Sequence, residues 1–509
     1  LLKQEVSIES QIDQASNGDL LWATDSYNDT ASFFHRLVLM RLDANANILQ
    51  SKGFFRPPSF RLGKIKATSD NGLILSGTIN IPLTDNDSVF VMKVDANADI
   101  SWSKGFQLGM DIHEVRSIYE TSDGSYIITG LFENFNTFEA EIFVIKIDAN
   151  GTLVWSRRIK SQLNGAFLSV GGIVEAANGE LFLSGSTRFN TEGSWLARLS
   201  NDGLIQSVSF LDTHNLTDNQ AEPFAIHRLS NGEIDIFYNR TAFLDQSILL
   251  KVRTDGAGVP LQAKKYYINH AKGGEITAVF PKAAGGYLMS GYHFPNGVRS
   301  NGLSLALDAN DNVSWAGQYG TSYIEIIEGI VPTNDGGFMM AGFADPDSII
   351  ISPSENGLFP WLVKTNSSGE PDCHHAPMNI SMQDTSLSTS AYQLSEAAGP
   401  ALNDIDFISF ALETPLDSVL CQAASIQRLP KASFRIYPNP SRGVITLELE
   451  HPFPASQIII SDALGRSVLR SSLQHQSQLS LAIEAPAGLY YLTLLTPSGE
   501  RLTQKLVLE

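Results

Sequence analysis

An eight-residue pattern joining a turn, an apolar strand and a glycine constrains this chain more than any other feature. Asp70 to Gly77 reads DNGLILSG, Asp123 to Gly130 DGSYIITG, Asn178 to Gly185 NGELFLSG, Ala284 to Gly291 AGGYLMSG and Asp335 to Gly342 DGGFMMAG, with weaker copies at Asn17 to Thr24 and Asn231 to Tyr238. Their last residues fall at 24, 77, 130, 185, 238, 291 and 342, a period of about 53. A second marker keeps the same phase, an apolar strand ending in an Asp-Ala-Asn type of turn, as in VFVMKVDANADI around Lys93 and IFVIKIDANGTL around Lys146. A further strand opens at Trp102, Trp155 and Trp315, and an apolar stretch such as Val115 to Tyr119 precedes the next Asp-Gly turn. Each repeat therefore holds about four strands.

Seven such repeats predict an all-β chain whose residues 1–371 form a seven-bladed β-propeller. A β-solenoid would use shorter periods, and an α-solenoid needs a helical periodicity that these segments lack. The chain begins near the strand Val6 to Ile12, part-way through the repeat unit. Ring closure is therefore expected to combine the N-terminus with a strand after Lys364 in one blade, hiding edges that would otherwise stay open.

Composition agrees with many short strands: of 509 residues only 17% are charged, while Gly numbers 40 and Pro 22. With 35 basic against 54 acidic side chains the formal charge is −19, which disfavours phosphate backbones and anionic lipid headgroups as partners. No apolar run approaches the roughly 20 residues of a membrane-spanning helix, and the opening Leu1-Leu2-Lys3 reads as a mature chain whose export signal has been removed.

From residue 372 to residue 433 the repeat stops, and this stretch is expected to supply a closing strand and an irregular strap. It contains both cysteines, Cys373 and Cys421, which either form one disulfide that pins a loop or remain two buried thiols. Residues 434–509 return to alternating apolar positions between Gly turns and read as six or seven short strands in a small Ig-like sandwich. Four landmarks occur there in order: Tyr437-Pro438-Asn439-Pro440 with Gly443, Asp462-Ala463-Leu464-Gly465-Arg466, Gly488-Leu489-Tyr490-Tyr491, and the closing Lys505-Leu506-Val507-Leu508. Together they resemble the C-terminal sorting domain of the type IX secretion system of Bacteroidetes. The resemblance implies export through the periplasm and across the outer membrane by that machinery, then removal of this domain and release or attachment to a surface lipopolysaccharide. The repeats also resemble the propeller-like repeats of secreted proteins in that group, which implies a scaffold and no activity. Six bases and six acids balance within residues 434–509, so the whole charge of −19 belongs to what precedes them.

The Asp-Ala-Asn turns at Asp43, Asp95, Asp148 and Asp308 invite a calcium reading, because Asp95, Asn97 and Asp99 carry oxygen ligands at alternate positions. A full cation loop needs a distal acid that does not recur here, so turn capping is the favoured role and no cofactor is expected. Arg41, Lys93, Lys146, Arg198, Lys251 and Lys364 recur at one repeat position and read as structural, packing an alkyl stem and pairing with a neighbouring blade. Trp102, Trp155 and Trp315 read as packing between blades. Cys373-His374-His375 lacks the ligand separation of a zinc site, so no metal is assigned. No phosphate-binding loop, GxSxG elbow or HExxH is present.

Function should lie where the repeats differ. Those places are the long insertion at residues 344–360 with Trp361 just beyond it, the segment Phe54-Phe55-Arg56-Pro57-Pro58, and Tyr292-His293-Phe294. Exposed aromatics there would stack on sugar rings or grip a protein partner, while as loop anchors they would only pack on a blade edge. The reading is a secreted or surface-attached module for binding, adhesion or assembly, not an enzyme, with an unidentified protein or glycan partner. The alternative is a polysaccharide- or peptide-degrading propeller enzyme, which would bring two or more carboxylates, or a His/Arg group, to one cleft.

Overall fold

The computed structural model describes residues 9–27, 35–55, 60–79, 88–107, 112–134, 139–161, 167–188, 193–213, 221–240, 247–268, 273–295, 300–320, 324–344, 359–371, 375–387, 389–391, 394–398, 402–404, 408–411, 434–449, 456–462, 466–473, 478–495 and 501–509. Every regular element among them is a β-strand. The chain divides into two compact units, residues 1–422 and 423–509.

In the first unit each repeat folds as an antiparallel meander. Four consecutive strands fill residues 10–55, 60–107, 112–161, 167–211, 221–268 and 274–319, and three fill residues 325–365. The turns explain this regularity. At Asp43, Asp95, Asp148, Asp255 and Asp308 one carboxylate oxygen accepts the N–H groups two and four residues on, at 2.7–2.9 Å. Each of these aspartates thus closes its own turn.

The repeat's glycine follows from a bulge. In six of the meanders the first strand carries an extra residue at a shared place, at Gly63, Arg116, Gly171, Phe224, Thr277 and Glu328, and that of the third meander carries a second at His113. In five of them a glycine of the second strand pairs with the residue just before that bulge. A Cβ on Gly77 would overlap the Arg61 carbonyl oxygen, and one on Gly342 the Ile326 carbonyl oxygen. Only a residue without a side chain permits so close an approach.

Apolar clusters lie between consecutive sheets, because alternate residues of one strand face opposite neighbours. Leu73 and Leu75 pack with Leu21 and Leu39 of the preceding sheet, while Ile74 packs with Phe143 and Ile145 of the following one. Each such buried side chain contributes roughly 1.5–3 kcal/mol. The series closes on itself: Ile12, Trp22 and Met40 of the first sheet meet Val331, Met339 and Ala341 of the last. The first strands of the sheets adjoin one another and form the inner ring.

The basic repeat position is structural, with a partner nearer than expected. Lys93 pairs with Asp70 at 2.8 Å, Lys146 with Asp123 at 2.9 Å, Arg41 with Asp19 at 2.9 Å, Arg198 with Glu180 at 2.6 Å and Lys364 with Asp335 at 2.7 Å, each within its own meander. Lys251 departs from the series: the register gives the equivalent position to Arg253, opposite Asp235, and Lys251 lies buried between Asp235 at 2.9 Å in its own meander and Asp311 at 2.8 Å in the next, a pairing with the neighbour as expected. Elsewhere the links to the next meander run from Arg41 to the Asn71 carbonyl and from Lys146 to Asn201. The repeat with Ala306 at the basic position has Ala284 at the acidic one, so both partners are absent together.

Ring closure departs from expectation. Among the described residues Ser10–Gln14 pairs only with Leu20–Tyr27, and Phe359–Thr365 only with Phe338–Ala344. Pro371 stands where a fourth strand would begin and has no N–H to offer a ladder. The chain then runs backwards around the outside. His375–Pro377 adds to Val313–Tyr319, Ile380–Thr385 to Pro260–Ile268, Thr389–Ala391 to Ile205–Leu211, Leu394–Ala398 to Leu153–Ser161, Leu402–Asp404 to Ile100–Gln107 and Ile408–Ala411 to Ile48–Phe55, all antiparallel. The expected strap is thus a belt that covers the outer edge of six sheets in reverse order. Cys373 and Cys421 lie outside the described residues.

In the second unit Phe434–Tyr437, Val444–Leu449 and Gln478–Ala482 form one sheet, and Ser467–Leu473, Ser456–Asp462, Gly488–Leu495 and Arg501–Leu508 another. They share one core that includes Phe434, Ile445, Leu447, Ile458, Leu492 and Leu506.

Candidate functional site

Little of the predicted aromatic site is available to a ligand. Phe54 is fully buried between the first two sheets and His293 is 2% exposed, so neither presents a ring to solvent. Burial also pushes the His293 imidazole down to about 4. Tyr292 and Phe294 are half-buried, edge to face at 5.6 Å, and the Tyr292 hydroxyl is bonded to Glu275. Trp361 packs against the core between the last two sheets. The Phe55 side chain, Arg56 and residues 345–358 lie outside the described residues, as do Cys373 and His374. His375 opens the belt and lies tilted against Tyr319, ring centroids 5.3 Å apart.

Convergent chemistry appears instead at one end of the inner ring, where the first strands begin. Bulges place two of its members, Arg116 and Glu328, since an extra residue re-aims its side chain. Four sheets contribute: Glu9 and Asp25 from the first, Arg61 and Lys64 from the second, Glu114 and Arg116 from the third, and Glu328 from the last. Glu9 stands 3.8 Å from the Arg61 guanidinium, and Glu114 2.8 Å from that of Arg116. The Ser10 N–H donates to Glu328 at 2.6 Å, while Asp25 accepts the N–H groups of Glu9 at 2.7 Å and Leu62 at 3.3 Å.

Burial dominates the electrostatics. It raises the Glu9 carboxyl above the ordinary range against the pull of Lys64 and Arg61, with Glu114 pushing the same way as burial. Glu328 goes well above that range, by burial first and then by Glu9, although the Ser10 N–H and Lys64 oppose the rise. Asp25, 1% exposed, is pushed up to about 7 by burial, with its two backbone donors holding it down. Carboxyl groups of raised proton affinity thus stand beside basic side chains, a set able to donate and accept hydrogen bonds and to pair with either sign of charge.

At the opposite end of the ring the acids are already engaged. Asp13 pairs with Lys66 at 2.7 Å, Glu120 accepts from Ser69, and Glu175 accepts the Ser122 N–H at 2.7 Å, each tying one sheet to its neighbour. His227, lowered by burial to about 4, lies against Tyr287 and Phe237. The aspartates of the turns that invite a calcium reading each accept N–H groups of their own turn.

Sequence reading missed the charged end because its members look like ordinary strand residues. A signal was present nonetheless. The bulge position holds Gly63, Gly171, Phe224 and Thr277 in four repeats but Arg116 and Glu328 in two, a break in symmetry of the kind a site needs.

In the second unit the sorting landmarks are tied to the chain's end. The Asn439 amide donates to the Lys505 carbonyl at 2.7 Å and accepts the Val507 N–H at 2.9 Å. Arg466 donates to Asp462 at 2.7 Å, the Tyr490 hydroxyl donates to the Pro486 carbonyl at 2.7 Å, and Gly443, at φ 106°, accepts the Ile483 N–H. Gly465 lies outside the described residues.

An all-β ring of small sheets followed by a small domain built around those landmarks defines an exported two-part protein. Residues 435–509 are a secretion system C-terminal sorting domain, matched across that whole span. This tail directs the chain to the cell surface or the extracellular space. Among the described residues no helix is long and apolar enough to cross a membrane. No curated protein matches the chain.

Solved structures of similar outline include a protein of unknown function from Dyadobacter fermentans, at 8% identity and a TM-score of 0.35, covering 74% of this chain and 94% of that one. An exo-β-1,3-galactanase from Phanerochaete chrysosporium aligns at 13% identity and 0.25, covering 79% and 95%. An endo-1,5-α-L-arabinanase from Thermotoga petrophila aligns at 10% and 0.21, covering 74% and 97%. Scores this low carry no argument about activity.

Proposed function

We propose that residues 10–365 form a seven-bladed β-propeller, carried outside by an Ig-like sorting domain, that binds an extracellular protein or glycan at the charged end of its axis. The observation that carries this reading is the convergence of Glu9, Arg61, Lys64, Glu114, Arg116 and Glu328 from four sheets at one end of the ring. Four adjacent meanders supply these groups, and that asymmetry suits one ligand at one place.

The test is binding of the purified full chain to glycan and peptide arrays, beside Arg61→Ala and Arg116→Ala. Both side chains are partly exposed, so folding should survive. At least a tenfold loss of captured ligand is expected, of the order of 1.4 kcal/mol. Capture that is unchanged in both variants would overturn the placement.

A second reading, a secreted hydrolase, is favoured by one feature, a carboxyl of raised affinity for its proton at Glu328 close to a second at Glu9. Such a pair suits general acid catalysis. Release of reducing ends or new amines from polysaccharide or peptide mixtures, lost in Glu328→Gln, would replace the binding reading.

A further inference from the structure

The junctions between sheets are unequal. The belt crosses every junction from the sheet of residues 274–319 back to that of residues 10–55, and among the described residues it adds nothing to the sheet of residues 325–365. Outer tethers are found at five of the other six junctions. A side chain from a fourth strand reaches a carbonyl in the far turn of the next sheet: Gln50 to Asn97, Trp102 to Ala149, Trp155 to Asn201, Tyr266 to Asp311 and Tyr319 to Gly369. Among the described residues the last sheet shows three strands and no fourth from which to reach the first. What crosses from last to first is the apolar cluster around Ile12 and Val331, the Ser10–Glu328 hydrogen bond and one from Gln14 to the Pro332 carbonyl at 3.1 Å.

We infer that this junction is the seam at which the ring opens, and that the facing carboxyl groups of Glu9 and Glu328 make its opening depend on pH. The inference concerns how the ring is held and does not require the ligand proposed above. Glu9 faces Arg61 and Lys64 of the second sheet, Glu114 and Arg116 of the third, and Glu328 of the last. Glu328 faces the Ser10 N–H, Glu9 and Asp25 of the first sheet and Lys64 of the second. When protonated, the two carboxyls lie together without repulsion. As pH rises both ionise, two like charges share a half-buried site, and the cations of the second and third sheets offset only part of the cost. The seam therefore loosens towards alkaline pH, because the folded-state proton affinity of both groups is raised.

Hydrogen exchange on the full chain tests this, at about pH 5.5 and about pH 8.5 with intrinsic rates removed. Peptides covering Ser10–Gln14 and Phe338–Ala344 should lose about tenfold more protection on the alkaline side than Leu181–Arg188, a matching strand under the belt. Glu328→Gln keeps an oxygen for the Ser10 N–H and removes the charge, and Glu9→Gln removes the other. Each should flatten the dependence. Equal protection of seam and reference strands at both pH values overturns the inference, as does a pH dependence that survives in both variants.

Discussion

A single carbonyl oxygen explains the repeat's glycine. Gly77 lies across a bulge from Arg61 and Gly342 across one from Ile326, and neither site has room for a methyl group. Gly77→Ala should cost roughly 1–3 kcal/mol in denaturant unfolding. Gly179→Ala should cost less, because a Cβ there meets nothing and only its left-handed backbone opposes the change. The Lys93–Asp70 pair offers a second case. Lys93 is buried, so Asp70→Ala leaves an ammonium short of its carboxylate and should cost roughly 1–3 kcal/mol. The double change to alanine should cost less than the sum of the single ones, the non-additivity expected of contacting groups and already written at Ala284 and Ala306. Roles at this scale were legible where they recur. The Asp turns, the basic position and the tryptophans all carry fixed spacing, whereas Arg116 and Glu328 each occur once and gain their meaning from an extra residue that the sequence does not mark.

Strands of the meanders were legible because apolar runs alternate with turn chemistry. The belt was not. Its strands are three to six residues long, mix polar and apolar residues about equally, and are separated by irregular steps, since each needs only backbone pairing with an edge already built. Leu394 is an exception, at 6% exposed, and joins the core between the third and fourth meanders with Trp155 and Leu168. Leu394→Ala should destabilise the first unit by about 2–3 kcal/mol. Exchange of Leu153–Ser161, which pairs with that belt strand, should quicken more than exchange of Phe338–Ala344, and equal effects on both would mean that the belt strand is not held there.

For the molecule as a whole, Asp25 sets a pH trend. Its carboxyl is raised from 3.8 to about 7, so its stabilising effect is complete below about pH 4 and is lost as pH rises through about 7. A shift of that size corresponds to roughly 4 kcal/mol. The acids of the Asp-Gly turns act in the opposite sense. Asp335, held low by Lys364 and Thr333, contributes above its unfolded value and loses that contribution in acid. Asp25→Asn should separate the two trends, since asparagine already stands at the same repeat position as Asn239, where it bonds Ile276 of the next sheet. Relative to the Asp25→Asn variant, the native protein should lose stability between about pH 5 and about pH 8 in chemical denaturation, and parallel curves would assign the trend to other groups.

The belt also orders events along the chain. Ile408–Ala411 pairs with Lys52–Phe55, so the last outer strand waits on an edge supplied by the first repeat, near the start of the chain. Each belt strand needs a finished sheet beneath it, and a meander that misfolds leaves one step without a docking edge. The sorting domain follows the belt in sequence. A copy whose belt is fully seated has thereby passed an inspection of six of its own sheets, one after another, in the reverse of the order in which they were made.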